Sequence, residues 1–252
     1  MDIIRHHFAT IDSTNNWAKH NSHSFSRDKI SLVTADEQTA GRGRFKRKWE
    51  SPPLQNIYAT FCFFIEKHRQ DIGNIPQVLA LSVLATLKAL GFHPKLKWPN
   101  DILLSQKKIA GILAETTTIS DQICVMIGIG VNINMPKELL DKIDRPATSL
   151  LVEGGQVFLV EDILQLLIKK FQEDLDLFLE EGFFPFLELY KSELAYSIDH
   201  KIRFHDNRSI WEGFFHSINH DGTLNLRLES GDIKTFVSGE ILFEIKDATN
   251  SK

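Results

Sequence analysis

Cysteine is scarce in this sequence, with Cys62 and Cys124 the only two in 252 residues. Each sits inside an apolar run, 58–65 and 123–127, so the pair reads as buried free thiols rather than as a disulfide framework or a nucleophile. No apolar run reaches 18 residues, which leaves no membrane-crossing candidate. The opening Met1-Asp2-Ile3-Ile4-Arg5-His6-His7 lacks both the apolar core and the small-residue cleavage pattern of a secretory leader. The expected compartment is therefore the cytoplasm, with no membrane partner. The ten histidines show no metal-site spacing with cysteines or carboxylates, so no metal held by the protein alone is expected.

Familiar catalytic signatures are missing too. There is no serine elbow, no paired-histidine metal motif and no Cys/His nucleophilic arrangement, which argues against common hydrolases. Two glycine pairs start a dinucleotide fingerprint without completing it: Lys46 and Ile133 stand where the third glycine belongs. A Walker-type phosphate loop is absent as well, so any binding of ATP must use a different device.

What the chain does have is a dense cluster of cations. Gly41-Arg42-Gly43-Arg44-Phe45-Lys46-Arg47-Lys48-Trp49 places five basic side chains beside two glycines, while the whole chain carries a formal charge of -4. The acidic remainder would repel a polyanion, so the loop points to a pocket for a small anion and away from a nucleic-acid face. Arginine forks can hold a carboxylate or phosphate through two hydrogen bonds, and glycine allows close approach and positive φ.

Hydrophobic periodicity predicts an α+β fold, a mixed sheet backed by helices. Strands are expected at 3–11, 30–35, 56–65, 95–98, 102–104, 109–116 and 122–132. Buried or amphipathic helices are expected at 75–90, from Val160 to Gly182 and at 185–194, with a helix start at Asp12-Ser13-Thr14-Asn15-Asn16. From Ala195 onward the pattern changes to five short strands, 201–205, 211–218, 223–228, 235–237 and 241–245, separated by turn-forming pairs. Five strands in so short a span imply a small β-barrel. The expected division is a catalytic domain at 1–195 and a small domain at 196–252, with disorder confined to 247–252.

Three further segments carry polar groups where chemistry could occur. Lys97-Trp98-Pro99-Asn100-Asp101 sets a proline turn after a strand, with an amide and a carboxylate beside it. Lys107 and Lys108 stand at a turn before Ile109-Ala110-Gly111-Ile112-Leu113. Gly128-Ile129-Gly130-Val131-Asn132-Ile133-Asn134 ends an apolar strand, where glycines make room for a close neighbour and Asn132 adds an amide. Cations, amides and one carboxylate suit electrostatic catalysis, in which phosphate charge is neutralised and reactants are aligned without covalent attachment.

Taken together, these segments resemble the biotin protein ligase family. The resemblance rests on Ser13-Thr14-Asn15, Gln38 with 39–44, Arg47, Trp49, 97–101, 108–115, 128–134 and Ala147-Thr148-Ser149-Leu150, in the family's order. It implies a class II synthetase-like biotin/lipoate ligase fold with an SH3-like C-terminal domain. It also implies a two-step reaction in which biotin and ATP, with Mg2+, form biotinyl-5'-AMP, and a lysine of a biotin carboxyl carrier protein then attacks it. By the same resemblance Ser13, Thr14, Asn15 and Gln38 contact biotin, and Arg42, Gly43 and Arg44 close over its carboxylate and the phosphate. Lys108 is the main catalytic residue, and Asp101 positions magnesium or the incoming lysine. Arg47, Trp49, Asn100 and Asn132, with Arg42, Arg44 and Lys108, line the adenylate side.

The family loop commonly reads Gly-Arg-Gly-Arg-x-Gly-Arg-x-Trp, and Lys46 departs from it. If that position needs positive φ, the lysine costs about 1 to 2 kcal/mol in the closed loop. The few residues before Ser13 leave no room for a helix-turn-helix, so no DNA binding or repressor role is expected; a homodimer stays open. A lipoate or octanoate transfer enzyme, a non-catalytic sensor and a nucleic-acid protein are the rival readings.

Overall fold

The computed structural model describes residues 1–242. The seven-stranded sheet runs β1 (Ile3–Ile11), β2 (Ile30–Gln38), β3 (Ile57–Glu66), β7 (Gln122–Val131), β6 (Lys107–Ile119), β5 (Asp101–Leu104) and β4 (Lys95–Lys97) in spatial order. Only β1 and β2 pair in parallel, and α1 (Thr14–Asn21) supplies the crossover between them; the other neighbours are antiparallel. Ser13 caps α1 by accepting a hydrogen bond from the Asn16 amide.

β3 is apolar without a break because it is covered on both faces. Phe61, Phe63 and Ile65 join the main core with α2 (Ile75–Ala89) and α5 (Val160–Glu181). Cys62 and Phe64 point the other way, into a smaller cluster with Ala18 of α1 and with Cys124 and Met126 of β7. Both thiols are free and buried, and burial pushes them up, Cys124 to about 11. The stretch 72–89 has the length and mean hydropathy, 1.3, of a membrane-crossing helix, yet 67% of it is buried inside the fold. Its apolar character serves the core.

The expected strand and helix positions agree with the structure to within a few residues, with two informative exceptions. Lys107 and Lys108 open β6 rather than stand in a turn; Ser105 and Gln106, both at positive φ, make that turn. Asp101 likewise opens β5. The short helices α3 (Lys137–Leu140) and α4 (Leu150–Gly154) are too brief to show a period in the sequence; Ser149 caps the second by accepting from the Val152 amide. α6 (Phe184–Ser192) follows α5.

The C-terminal strands β8 (Lys201–His205), β9 (Ile210–Ile218), β10 (Leu224–Leu228), β11 (Ile233–Phe236) and β12 (Glu240–Leu242) form an antiparallel sheet in the order β11-β10-β9-β8-β12. That is consistent with an SH3-like domain, but the ladder does not close into the expected barrel among the described residues. The remainder of the strand expected at 241–245, and the tail 247–252, lie outside the described residues.

The β9–β10 turn keys this sheet onto the first. Trp98 Nε1 and Gln77 Nε2 donate to the Gly222 carbonyl at 2.9 and 3.0 Å, and Asn74 Nδ2 donates to the Asp221 carbonyl at 2.9 Å. Gly222 has φ +76, and a Cβ there would meet Asn74 Nδ2 and Gln77 Oε1 at 2.3 Å. Gly222→Ala combines a left-handed penalty with overpacking and is expected to destabilise the protein by about 3 kcal/mol. The midpoint and slope of urea unfolding check it; an unchanged midpoint contradicts the keyed turn.

Candidate active site

On the sheet face that carries α1, the chain places glycines just where the helix stops. Along β7, Cys124 and Met126 lie under α1, and Gly128 and Gly130 continue the same face. Gly111 of β6 pairs with Gly130, and Leu113 with Gly128. A Cβ on Gly130 would fall 2.4 Å from Trp49 Cε2, one on Gly128 within 2.2 Å of Asn15 Oδ1, and one on Gly111 within 2.8 Å of Lys108 Cε. The glycines thus form the floor on which these three side chains rest. Above that floor is a cavity of about 410 Å³.

At one end of the cavity the walls are neutral and polar. The Thr14 amide donates to Gln38 Oε1 at 3.0 Å, and Gln38 Nε2 donates to Ser51 Oγ at 3.0 Å. Thr60, fully buried in β3, has its hydroxyl 2.8 Å from Thr14 Oγ1 and 2.6 Å from Asn15 Oδ1. Asn15 Nδ2 donates to the Leu113 carbonyl and to Glu115 Oε2, each at 3.1 Å.

The other end is charged. Asp101 accepts from Lys108 Nζ at 2.6 Å and faces Lys97 Nζ at 3.9 Å, with all three side chains largely buried. Burial raises the Asp101 carboxyl, but the Lys108 and Lys97 ammoniums outweigh it and hold the group below the ordinary carboxylate value. Lys97 moves the opposite way: burial brings it down to about 8, against the pull of Asp101 and Glu240. The Asn100 amide donates to the Ile112 carbonyl at 2.6 Å, and Asn132 Nδ2 donates to the Thr148 carbonyl at 3.0 Å.

The basic loop folds back on itself. The Gly43 amide donates to the Arg47 carbonyl at 2.8 Å, and the Trp49 amide donates to the Gly41 carbonyl at 2.9 Å. Gly41 is needed for close approach, since a Cβ would sit 2.5 Å from the Trp49 carbonyl oxygen. Neither loop glycine uses positive φ. Phe45 and Lys46 do, at 58° and 59°, so Lys46 occupies the conformation that favours glycine.

The loop cations are more committed than their density suggests. Arg42 Nη2 pairs with Glu115 at 2.6 Å, and Arg44 Nη1 donates to Asn100 Oδ1 at 3.2 Å and the Gly239 carbonyl at 3.0 Å. Arg47 Nη1 reaches Glu240 at 2.6 Å. Burial lowers Arg44, whereas the Glu240 hydrogen bond raises Arg47. The Trp49 indole N–H, by contrast, is buried with no hydrogen-bond partner among the described residues, a donor left for a ligand.

The fold brings every expected site residue to this one cavity: Ser13, Thr14, Asn15 and Gln38 at the polar end; Arg42, Gly43, Arg44, Arg47 and Trp49 from the loop; Asn100, Asp101, Lys108 and Asn132 at the charged end. Sequence reasoning missed Thr60 and Glu240, and it included Lys97 and Glu115 within the segments 97–101 and 108–115 without giving either a role. Thr60 had a signal, the lone polar residue in the run 58–65; so did Glu115, which keeps step with Gly111 and Leu113 along the strand. Glu240 stands beside Gly239 in the turn-forming pair between the expected strands 235–237 and 241–245, and such a pair carries no sign of an ion-pair partner. Among the described residues no group of three His, Cys, Asp or Glu could hold a metal ion.

Residues 7–132, half of the chain, match the model of the biotin/lipoate A/B protein ligase family. The chain belongs to that family. It is 33% identical over 218 residues to the bifunctional ligase/repressor BirA of Bacillus subtilis, covering 83% of this chain and 65% of that relative, so the match spans just under two-thirds of the longer protein. It is 31% identical to the biotin acetyl-CoA-carboxylase ligase of Paracoccus denitrificans, covering 79% of this chain and 85% of that protein. Among solved structures, the biotin protein ligase of Aquifex aeolicus in complex with biotin and ATP superposes with a TM-score of 0.78 at 29% identity, covering 96% of this chain and 97% of that one.

Lys97, Asp101 and Lys108 carry one net positive charge until Lys97 loses its proton, which happens as pH rises through about 8. Affinity for inorganic pyrophosphate is therefore expected to fall roughly fivefold between about pH 7 and 9, the size of one lost charge near the anion. Lys97→Met is expected to flatten that limb. Calorimetric titration at several pH values tests it, and a limb that survives the substitution assigns the titration elsewhere.

Proposed function

We propose that the chain is a biotin protein ligase that makes biotinyl-5'-AMP from biotin and ATP, then passes biotin to a lysine of a biotin carboxyl carrier protein. The observation that carries this reading is a single cavity with a neutral hydrogen-bonding end and a cationic end. A cyclic urea suits the first and two reacting anions suit the second. The family also includes lipoate ligases, but a dithiolane or hydrocarbon chain offers nothing to the buried Thr14 and Asn15 or the half-buried Gln38. The named relatives support the same choice.

In adenylation the biotin carboxylate attacks the α-phosphorus and pyrophosphate leaves, so two anions must reach bonding distance. An ammonium has three protons. Lys108 gives one to Asp101 and keeps the others for the carboxylate and the α-phosphate oxygens, where charge grows in the transition state. Asp101 has an oxygen toward each lysine, so we assign it the orientation of Lys108. Magnesium then comes with the nucleotide phosphates, because two cationic neighbours make Asp101 a poor ligand for it. Arg42 and Arg44 hold the anionic groups from the loop side, and Trp49 and Asn132 line the nucleotide side.

In the second step the carrier lysine's amine attacks the acyl carbon and AMP departs. We read 1–195 as the catalytic body and 196–252 as a small domain that supports it. A cytoplasmic ligase without DNA-binding activity fits the acidic charge balance.

Lys108→Ala is expected to lower biotin-dependent ATP–pyrophosphate exchange at least about a hundredfold, near 2.7 kcal/mol of transition-state stabilisation. Near-normal exchange would remove Lys108 from this role, and exchange with lipoate or octanoate but not biotin would replace the substrate. Relief of the left-handed strain at Lys46, about 1 kcal/mol, predicts that Lys46→Gly slows release of the adenylate. A single-turnover chase measures it, and an unchanged release rate contradicts the strained-loop account.

A further inference from the structure

Asn15 lines the cavity at its neutral end, and its amide has little freedom. Both partners of Nδ2, the Leu113 carbonyl and the Glu115 carboxylate, can only accept, so the amino group must face them. The hydroxyl of Thr60, 2.6 Å from Oδ1, supplies a donor on the other side. With both amino protons used, the one valence left on this side chain is the second lone pair of Oδ1. A ligand group that meets Asn15 meets an acceptor.

Glu115 decides that orientation. Its side chain is 21% exposed and lies outside the cavity lining. Its Oε2 takes hydrogen bonds from both Asn15 and Arg42, and Lys19 Nζ stands 4.0 Å from Oε1. Without that carboxylate one amino proton of Asn15 loses its partner, and the amide can turn a donor toward the cavity.

We propose that Glu115 is a positioning and specificity-determining residue: by holding Asn15 as an acceptor, it selects an acid whose head group donates N–H, such as the cyclic urea of biotin. The proposal rests on the biotin reading above and adds a cause for its selectivity. Arg42 is held by the same carboxylate, so the test must separate the two contacts.

Glu115→Gln and Glu115→Leu do so. Both lose the ion pair with Arg42, and only Gln keeps an oxygen that can accept from Asn15 Nδ2 and from Arg42. Arg42 serves the carboxylate and the phosphate alike, so a change in the biotin KM without one in the ATP KM reports the Asn15 contact. In biotin-dependent ATP–pyrophosphate exchange, the KM for biotin is expected to be about tenfold higher in Glu115→Leu than in Glu115→Gln, the loss of one buried hydrogen bond. The KM for ATP is expected to be the same in both. Equal biotin KM values, or a parallel rise in the ATP KM, would overturn the proposal. If Glu115→Leu does not fold, Glu115→Ala, which also leaves Asn15 Nδ2 without the carboxylate, takes its place: about a tenfold rise in biotin KM over Glu115→Gln with unchanged ATP KM supports the proposal, and an unchanged biotin KM overturns it. A wild-type protein with no biotin-dependent exchange would instead refute the functional reading, and this proposal with it.

Discussion

A carboxylate enclosed between two lysines is the constraint on which the rest of this site depends. Asp101, Lys97 and Lys108 are each taken largely out of water, at a cost of several kcal/mol per ion, approximately, unless each finds a partner. Their arrangement meets that cost only if β4, β5 and β6 hold register. Lys97 pairs directly with Asp101 across the first hairpin. A shift in register between Ile102 and Leu103 brings Lys108 opposite Leu103 rather than one residue further along, and Lys108 is tied to Ala147 from its far side. Two cations against one anion leave a buried surplus of positive charge, which favours an anionic ligand without a glycine-rich phosphate loop.

The small C-terminal sheet belongs to the same economy of charge. Arg44 and Arg47 leave the basic loop toward Gly239 and Glu240, and Trp98, next to the turn that carries Asn100 and Asp101, is hydrogen-bonded to Gly222. Both walls of the charged end therefore lean on strands more than a hundred residues distant in sequence. The hydrophobic cluster is continuous across the two sheets, with Trp98 packed against Phe204, so the small sheet is part of what gives the cavity its shape.

Much of this was legible in the sequence. Periodicity placed most strands and the long helices because burial imposes period 2 or 3.6 wherever one face meets a core. The cavity residues were legible as short motifs, because turns, close approaches and paired charges demand particular residue types. Boundaries failed where a local signal was ambiguous: two lysines read as a turn because charge resembles exposure, although both begin a strand. The second sheet is consistent with the expected SH3-like domain, but strand number does not specify the hydrogen bonds of closure, and among the described residues the ladder stays open.

The sequence by itself determined the inventory: a loop dense in arginine and lysine, glycines spaced along strands, one carboxylate after a proline turn, and the order of elements that makes them. Tertiary structure alone decided who neutralises whom. Glu115 and Glu240 are the partners of Arg42 and Arg47, and Thr60 and Glu115 together orient Asn15. Such pairings join residues far apart in the chain, and neither composition nor spacing encodes them. Electrostatic and hydrogen-bond energies depend on distance and burial in three dimensions, and those exist only once the sheet has formed.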